Sequence, residues 1–302
     1  MTDKQLDELL KNAGTLDLSD GTRSGLSGSF IELPSGNTHY ELEGDGEPIV
    51  LVHGYATPYF IYDGLFDGLV KAGFRVLRYD LYGRGYSERV SADYSPEFFA
   101  LQLKELTESL LPGEQFDLVG TSMGGSIVNA FCAMYPGRVK RLVLLAPAGM
   151  NSFRSPAYMK ICSLPALGPA LFEKIGAKIL TKGCSSELIY SPERRDEMMT
   201  RFADALRFRG MLHCTFLSLK NTILNTDKVT EYYRITASRN IPTLVIWGTE
   251  DRTMPYYQSE LMRRINPLAK FITYPGSGHI FVYDESERTV GDVREFLRGK
   301  KI

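Results

Sequence analysis

The 302-residue sequence lacks several features that would point to specialised partners. Lysine and arginine together number 35 against 36 aspartate and glutamate residues, so the formal net charge is only −1. Without an excess of positive charge, there is no reason to expect nucleic acid or an anionic membrane surface as a partner. The sequence also lacks an apolar run of about 18 residues, so we expect no membrane-spanning helix.

Cysteine is scarce, and its spacing is uninformative. The four cysteines, Cys132, Cys162, Cys184 and Cys214, are far apart, and none forms a pair with metal-ligand spacing. We expect free, mostly buried thiols in a reducing compartment and no metal site. The first ten residues are charged throughout and lack an apolar signal core, which favours a cytoplasmic protein. No phosphate-binding glycine loop is evident, so we expect no organic cofactor.

Short apolar segments alternate with helical ones along most of the chain. Such alternation is typical of a parallel sheet covered by helices on both faces. The first two segments flank turn residues and predict an antiparallel hairpin at the sheet edge. The predicted strands are 29–33, 38–42, 48–52, 74–79, 115–119, 139–145, 242–247 and 269–274.

The alternation stops between about residues 147 and 240. This stretch has mixed charges, aromatic residues and helical spacing, without a clear buried strand. We therefore predict one doubly wound α/β core, formed by residues 27–146 and 241–302, with a helical insertion at 147–240. Residues 1–26 are predicted to form a peripheral, helical extension.

Gly120-Thr-Ser-Met-Gly124 lies between a predicted strand and a predicted helix. In that context, Gly-x-Ser-x-Gly is typical of a nucleophile elbow, a sharp turn that exposes the serine hydroxyl. The helix that follows presents its unpaired N–H groups toward developing negative charge. Ser122 is therefore the candidate nucleophile.

A serine hydroxyl needs a base, usually a histidine, and that histidine needs an orienting acid. Of the four histidines, His279 lies in a glycine-rich loop after the last predicted strand, where open α/β sheets place their sites. Asp251 follows the preceding strand and is the candidate acid. Glu250 is adjacent, but only one of these two neighbouring side chains is expected to meet His279.

The remaining candidates concern the oxyanion hole and the other histidines. The backbone N–H of Met123, directly after the nucleophile, is one expected donor, and that of Tyr55 is the other. We interpret His53 as a structural residue that hydrogen-bonds the local backbone. His39 is expected on the edge hairpin and His213 on a helix of the insertion, neither with a catalytic part.

Four motifs occur in the order found in the α/β-hydrolase fold superfamily. They are Leu51-Val-His-Gly54, Asp80-Leu-Tyr-Gly-Arg-Gly-Tyr-Ser87, Gly120-Thr-Ser-Met-Gly-Gly125, and the loops of Asp251 and His279. The chain resembles this superfamily over residues 27–300, including its serine–acid–histidine order. The resemblance implies a structural role for Asp80, Gly83, Gly85 and Ser87, and a helical cap over the active site at 147–240.

Within this superfamily, haloalkane dehalogenases and epoxide hydrolases use aspartate at the elbow, so Ser122 sets both aside. A serine suits a carboxylesterase acting on small or medium apolar esters, which is our first interpretation. One alternative is a carbon–carbon bond hydrolase of vinylogous diketones, with Arg207 or Arg209 holding a substrate carboxylate. A monoacylglycerol lipase and a non-catalytic binding protein of the same fold are the others. The sequence leaves the physiological substrate and the oligomeric state open.

Overall fold

An eight-stranded sheet forms the centre of the protein in the computed structural model, which describes residues 2–150, 168–188 and 193–299. The strand order is β1-β2-β4-β3-β5-β6-β7-β8. Strand β2 pairs antiparallel with β1 and β4, and all other pairs are parallel. The strands are β1 Ser29–Leu33, β2 Gly36–Glu43, β3 Pro48–Val52, β4 Arg75–Tyr79, β5 Phe116–Thr121, β6 Val139–Leu145, β7 Thr243–Gly248 and β8 Lys270–Tyr274.

The middle of the sheet is covered on both faces. Every residue of β3, β5 and β7 is buried, whereas β1 and β8 at the edges are partly exposed. Continuous apolar runs rather than alternating ones are what a parallel strand between two helical layers requires. The predicted doubly wound, mostly parallel α/β core is therefore confirmed, including the antiparallel hairpin at its edge.

Helices follow most of the strands. Helix α4 begins after Ser95, whose hydroxyl accepts a hydrogen bond from the Phe98 N–H at 3.3 Å, and Pro96 occupies its first position. The helices are α1 Asp3–Leu10, α2 Asp20–Arg23, α3 Asp63–Lys71, α4 Pro96–Leu110, α5 Met123–Met134, α6 Gly168–Ser186, α7 Arg194–Leu206, α8 Met211–Ser218, α9 Thr226–Ser238, α10 Tyr257–Ile265, α11 Phe281–Asp284 and α12 Ser286–Leu297.

The chain between β6 and β7, residues 146–242, is called the β6–β7 insertion below. Its described part contains α6 to α9 and a π-helical turn, Leu219–Ile223, and no strand of the sheet. This turn directly continues α8, so residues 211–223 form an α-helix that ends in a π-helical turn. Cys162 lies outside the described residues.

The N-terminal extension packs on this insertion. The Gly14 N–H donates to the Leu206 carbonyl at 2.9 Å, and Lys178 Nζ lies 2.6 Å from Asp7 Oδ1. No helix within the described ranges is both long and apolar enough to cross a membrane.

The parallel strands place the candidate residues at one edge of the sheet. Ser122 follows β5 directly, Asp251 comes shortly after β7, and His279 comes shortly after β8. Because parallel strands end at the same edge, residues far apart in sequence meet there.

Candidate active site

Ser122 occupies a strained turn between β5 and α5. Its backbone angles are φ +51° and ψ −120°, in a region that residues with a side chain rarely adopt. Hydrogen bonds on both sides hold it there: its N–H donates to the Leu145 carbonyl, and its carbonyl accepts from the N–H groups of Gly125 and Ala148, all at 2.9 Å. Such strain persists only where the surroundings impose it.

The glycines of the elbow are required by close backbone approach. A Cβ on Gly124 would lie 2.1 Å from the Val52 carbonyl oxygen, and one on Gly120 would lie 2.6 Å from the Gly124 oxygen. Both contacts are with backbone, which cannot move aside as a side chain can. The Gly-x-Ser-x-Gly spacing is therefore what allows α5 to pack against β3.

Asp251 and His279 form a hydrogen-bonded pair. His279 Nδ1 lies 2.7 Å from Asp251 Oδ2. Asp251 Oδ1 accepts the Met254 N–H at 2.6 Å, which fixes the carboxylate on its other side. An ionised carboxylate only accepts, so Nδ1 carries the proton and Nε2 presents its lone pair. Glu250 is exposed and does not replace Asp251 as the partner of His279.

The pKa of His279 is set by opposing effects. Burial disfavours the charged imidazolium, but the charge and hydrogen bond of Asp251, together with the charge of Glu187, outweigh it. The pKa of His279 is therefore raised above its ordinary value. The imidazole is a stronger base here than a buried histidine without carboxylates would be.

Ser122 and His279 line the same cavity of about 130 Å³. Ser122 is 9% exposed, and the His279 side chain is 10% exposed. Among the described residues, Ser122 Oγ forms no hydrogen bond with His279. Such bonds are often long before substrate binds. The lining is mostly apolar and comprises Gly54, Tyr55, Ala56, Thr57, Ile61, Thr121, Ser122, Ile179, Leu180, Gly183, Cys184, Glu187, Thr253, His279, Ile280 and Val282.

The loop after β3 reaches the serine. A Cβ on Gly54 would lie 3.2 Å from Ser122 Cβ and 3.7 Å from its Oγ. Tyr55, the next residue, lines the cavity, and its carbonyl accepts a hydrogen bond from Arg84 Nε at 2.9 Å. Met123 begins α5, so its N–H has no acceptor within the helix.

The other histidines lie away from the cavity. His53 is fully buried; its Nε2 accepts the Leu81 N–H at 2.9 Å, so its protonated Nδ1 donates to the Gly54 carbonyl at 2.9 Å. Burial lowers the pKa of His53 to about 4, and the ring is neutral. His39 is fully buried on β2, and His213 is exposed on α8.

Asp80 organises the loop after β4. Its carboxylate accepts the N–H groups of Tyr59 at 3.0 Å and Tyr86 at 2.9 Å, and lies 2.9 Å from His39 Nδ1. Burial alone would raise the pKa of Asp80, but the hydrogen bond and charge of His39 hold it below its ordinary value. A Cβ on Gly85 would lie 2.2 Å from this carboxylate, which accounts for the glycine.

The β6–β7 insertion contributes residues that the sequence did not single out. Glu187 and Cys184 line the cavity, and neither belongs to a motif that would have found them. Burial raises the pKa of the Cys184 thiol to about 12, so this sulfur is a poor nucleophile. Arg207 and Arg209 are exposed and lie 3.8 Å from Asp204 and 2.8 Å from Asp17, respectively, away from the cavity lining.

Comparison with known proteins places this site in a family. The sequence profile of the Alpha/beta hydrolase family matches residues 49–293, most of the chain. The chain belongs to the alpha/beta hydrolase family. The match runs from β3 into α12 and so includes the elbow and the loops of Asp251 and His279.

Similar alpha/beta hydrolases include lipases, esterases and other hydrolases. Lipase 3 of a Moraxella species is 29% identical over 287 residues, covering 93% of this chain and 87% of the relative. A 2-hydroxy-6-oxononadienedioate/2-hydroxy-6-oxononatrienedioate hydrolase of Burkholderia vietnamiensis is 29% identical over 272 residues, or 86% and 90% of the two chains. A thermophilic esterase from Thermogutta terrifontis has a TM-score of 0.74 at 23% identity, covering 91% of this chain and 99% of that one. Ester hydrolysis at a general level is supported.

Proposed function

We propose that this hydrolase cleaves carboxylic esters of small to medium, apolar substrates through an acyl-enzyme on Ser122. The observation that carries the proposal is the shared cavity. A serine on a strained elbow and a histidine bonded to a buried aspartate line the same apolar space. The lipase and esterase names of similar proteins agree with this reaction class.

In the proposed mechanism, His279 Nε2 removes the Ser122 proton as Oγ attacks the ester carbonyl. Asp251 holds the ring and stabilises the imidazolium that forms. The N–H groups of Tyr55 and Met123 are the proposed donors to the oxyanion, each worth about 3 kcal/mol in the transition state. His279 then protonates the leaving alcohol and activates the water that releases the acid.

The substrate class follows from the cavity. At about 130 Å³ it is comparable to an engineered cavity of about 150 Å³ that binds benzene, so a short acyl group fits best. Its lining within the described residues includes a carboxylate, Glu187, and no lysine or arginine. A neutral ester is therefore favoured over a substrate that carries a carboxylate near the serine.

The lack of a lysine or arginine in the described cavity lining also weighs against carbon–carbon bond cleavage. The alternative requires an arginine to hold a substrate carboxylate, and Arg207 and Arg209 lie on the exposed surface.

The segment 147–240 is proposed to act as a cap, because Ile179, Leu180 and Gly183 of α6 form part of the cavity wall.

The test combines turnover with covalent labelling. The wild-type protein should hydrolyse p-nitrophenyl acetate and butyrate, and a fluorophosphonate should label Ser122. Ser122→Ala should lose both, while retaining the circular dichroism spectrum of the wild type.

Ser126→Ala is the matched control. Ser126 lies four positions further along α5, is fully buried, and donates to the Ala148 carbonyl at 2.8 Å without lining the cavity. This variant should still be labelled and active. Absence of both labelling and turnover in the wild type would contradict the enzymatic proposal and favour a binding protein, whereas labelling without turnover would indicate a narrower substrate class.

A further inference from the structure

Glu187 joins the β6–β7 insertion to both loops of the Asp251–His279 pair. It directly follows α6, and its side chain is almost completely buried at 3% exposure. Its Oε2 accepts the His279 N–H at 3.0 Å and the Arg252 N–H at 3.4 Å. Its Oε1 accepts the Thr253 hydroxyl at 2.9 Å.

The three donors to Glu187 belong to the loops that carry Asp251 and His279. The residues Arg252 and Thr253 immediately follow the acid, and the third donor is the backbone of His279 itself. One carboxylate therefore fixes the position of both loops relative to each other and to α6. A shift of about 1 Å in a catalytic group can reduce a rate by about a hundredfold, so this restraint bears on catalysis.

The charge of Glu187 is not neutralised by a cation in the described part of the chain, where its partners are two N–H groups and a hydroxyl. Burying a carboxylate in this way opposes stability, since hydrogen bonds only partly replace its hydration. A neutral side chain could fill the space at lower cost. The retained negative charge next to His279 thus suggests a role beyond packing.

We propose that Glu187 is a positioning residue that holds the His279 and Asp251 loops against α6 and stabilises the imidazolium formed during turnover. This inference rests on the proposed function, because it assumes that His279 acts as the base. In the part of the chain that the structure describes, the charged groups acting on His279 are Asp251 from the loop after β7 and Glu187 from the end of α6, and the neutral thiol of Cys184 lines the same cavity. The charge of Glu187 also contributes to the raised pKa of His279.

Glu187→Gln tests the charge at nearly constant shape. We expect kcat for p-nitrophenyl acetate to fall by about 10–100-fold, as when an outer hydrogen-bond partner of an active site is removed, with KM little changed. The acid limb of the kcat/KM profile should move to lower pH, because the His279 pKa falls when the nearby negative charge is removed.

Thr253→Val is the matched control. It removes the hydrogen bond of the Thr253 hydroxyl but keeps the Glu187 charge, so it should leave the acid limb in place. Glu187→Asp is the second variant if Glu187→Gln does not fold. The aspartate side chain is one methylene shorter, so its carboxylate should not reach His279 N and Thr253 Oγ1 together, and kcat should fall. Because the negative charge is kept, the His279 pKa should stay closer to that of the wild type.

A measurement independent of turnover separates this inference from the proposed function. With ¹⁵N-labelled histidine, the imidazole of His279 can be titrated by NMR and assigned by its loss in His279→Gln. A lower His279 pKa in folded Glu187→Gln, with reduced kcat, supports the role. An unchanged pKa and an unchanged kcat in a folded variant would overturn it. Failure of the wild type to react with esters or fluorophosphonate counts against the proposed function instead.

Discussion

Glycine at position 122 should give a more stable protein than alanine at the same position. Ser122 has φ +51°, where any residue with a Cβ is strained. Alanine keeps the Cβ and hence the strain, whereas glycine adopts positive φ freely. Both variants lack the nucleophile, so the comparison measures the elbow and not the chemistry.

The magnitude follows from two opposing contributions. Relief of a strained backbone conformation stabilises the folded state by about 1–3 kcal/mol. Glycine also gives the unfolded chain more freedom, which costs about 0.5–1 kcal/mol relative to alanine. Because Ser122 borders a cavity, neither variant leaves a new buried void. The net expectation is about 0.5–2 kcal/mol in favour of Ser122→Gly.

Equilibrium unfolding in urea measures this difference, with equal m-values as the check that the midpoints report stability. In thermal unfolding, the same difference corresponds to about 1–4 °C for a chain of this size. The matched control is Ser126 in α5, which is absent from the residues with positive φ. There the sign should reverse, and glycine should be less stable than alanine by about 1 kcal/mol.

The outcome that contradicts this reasoning is a Ser122→Gly variant no more stable than Ser122→Ala while the control behaves as expected. The elbow would then not be held under strain by its hydrogen bonds to Leu145 and Ala148.

Three further predictions concern pH, cavity shape and a structural histidine. The kcat/KM should fall as pH decreases through the raised pKa of His279, because the protonated imidazole cannot accept the serine proton; a flat profile from pH 5 to 9 would argue against this base. Gly183 lines the cavity, and a Cβ there would have no heavy atom within 4 Å, so a larger side chain can be accommodated. Gly183→Leu should therefore narrow the cavity and reduce turnover of p-nitrophenyl octanoate more than turnover of p-nitrophenyl acetate. Equal losses for the two esters would place the substrate elsewhere. His53→Leu leaves the buried Leu81 N–H without its acceptor and should lower the free energy of unfolding by about 1–3 kcal/mol in urea titration; an unchanged midpoint would show that this hydrogen bond is dispensable.

Local sequence pattern predicted the core of the fold closely. The strands at Ser29–Leu33, Pro48–Val52 and Val139–Leu145 have the predicted ends, because apolar runs bounded by turn residues define them. Strand β5 extends two residues further than predicted, to Thr121, since the strand continues directly into the elbow. Helix α5 correspondingly begins at Met123.

The insertion was less predictable. Helix α6, Gly168–Ser186, contains Gly176 and Gly183, which weaken a helical pattern, and it packs against both α7 and α8. Its formation depends on that packing, which single-sequence periodicity does not contain. The sequence therefore did not identify which residues of this region line the pocket.

The sequence by itself determined the residues that the nucleophile elbow and the loops at the strand ends require. Glycines at 120 and 124 are needed because backbone of helix α5 and of strand β3, respectively, occupies the space of a Cβ. Strand-end loops bring Asp251 and His279 to the same edge as Ser122 because parallel strands share one direction. Their catalytic roles remain predictions that labelling and kinetics will test.

What only the tertiary structure decided is which side chains of the insertion reach this edge. Glu187 lies 92 residues from His279 in sequence, and no pattern connects them. The sequence offered Arg207 and Arg209 as candidates to hold a substrate carboxylate, and the side chains of both are exposed. The direction of a helical side chain depends on how its helix packs on the core, and that is settled by long-range contacts rather than by neighbouring residues.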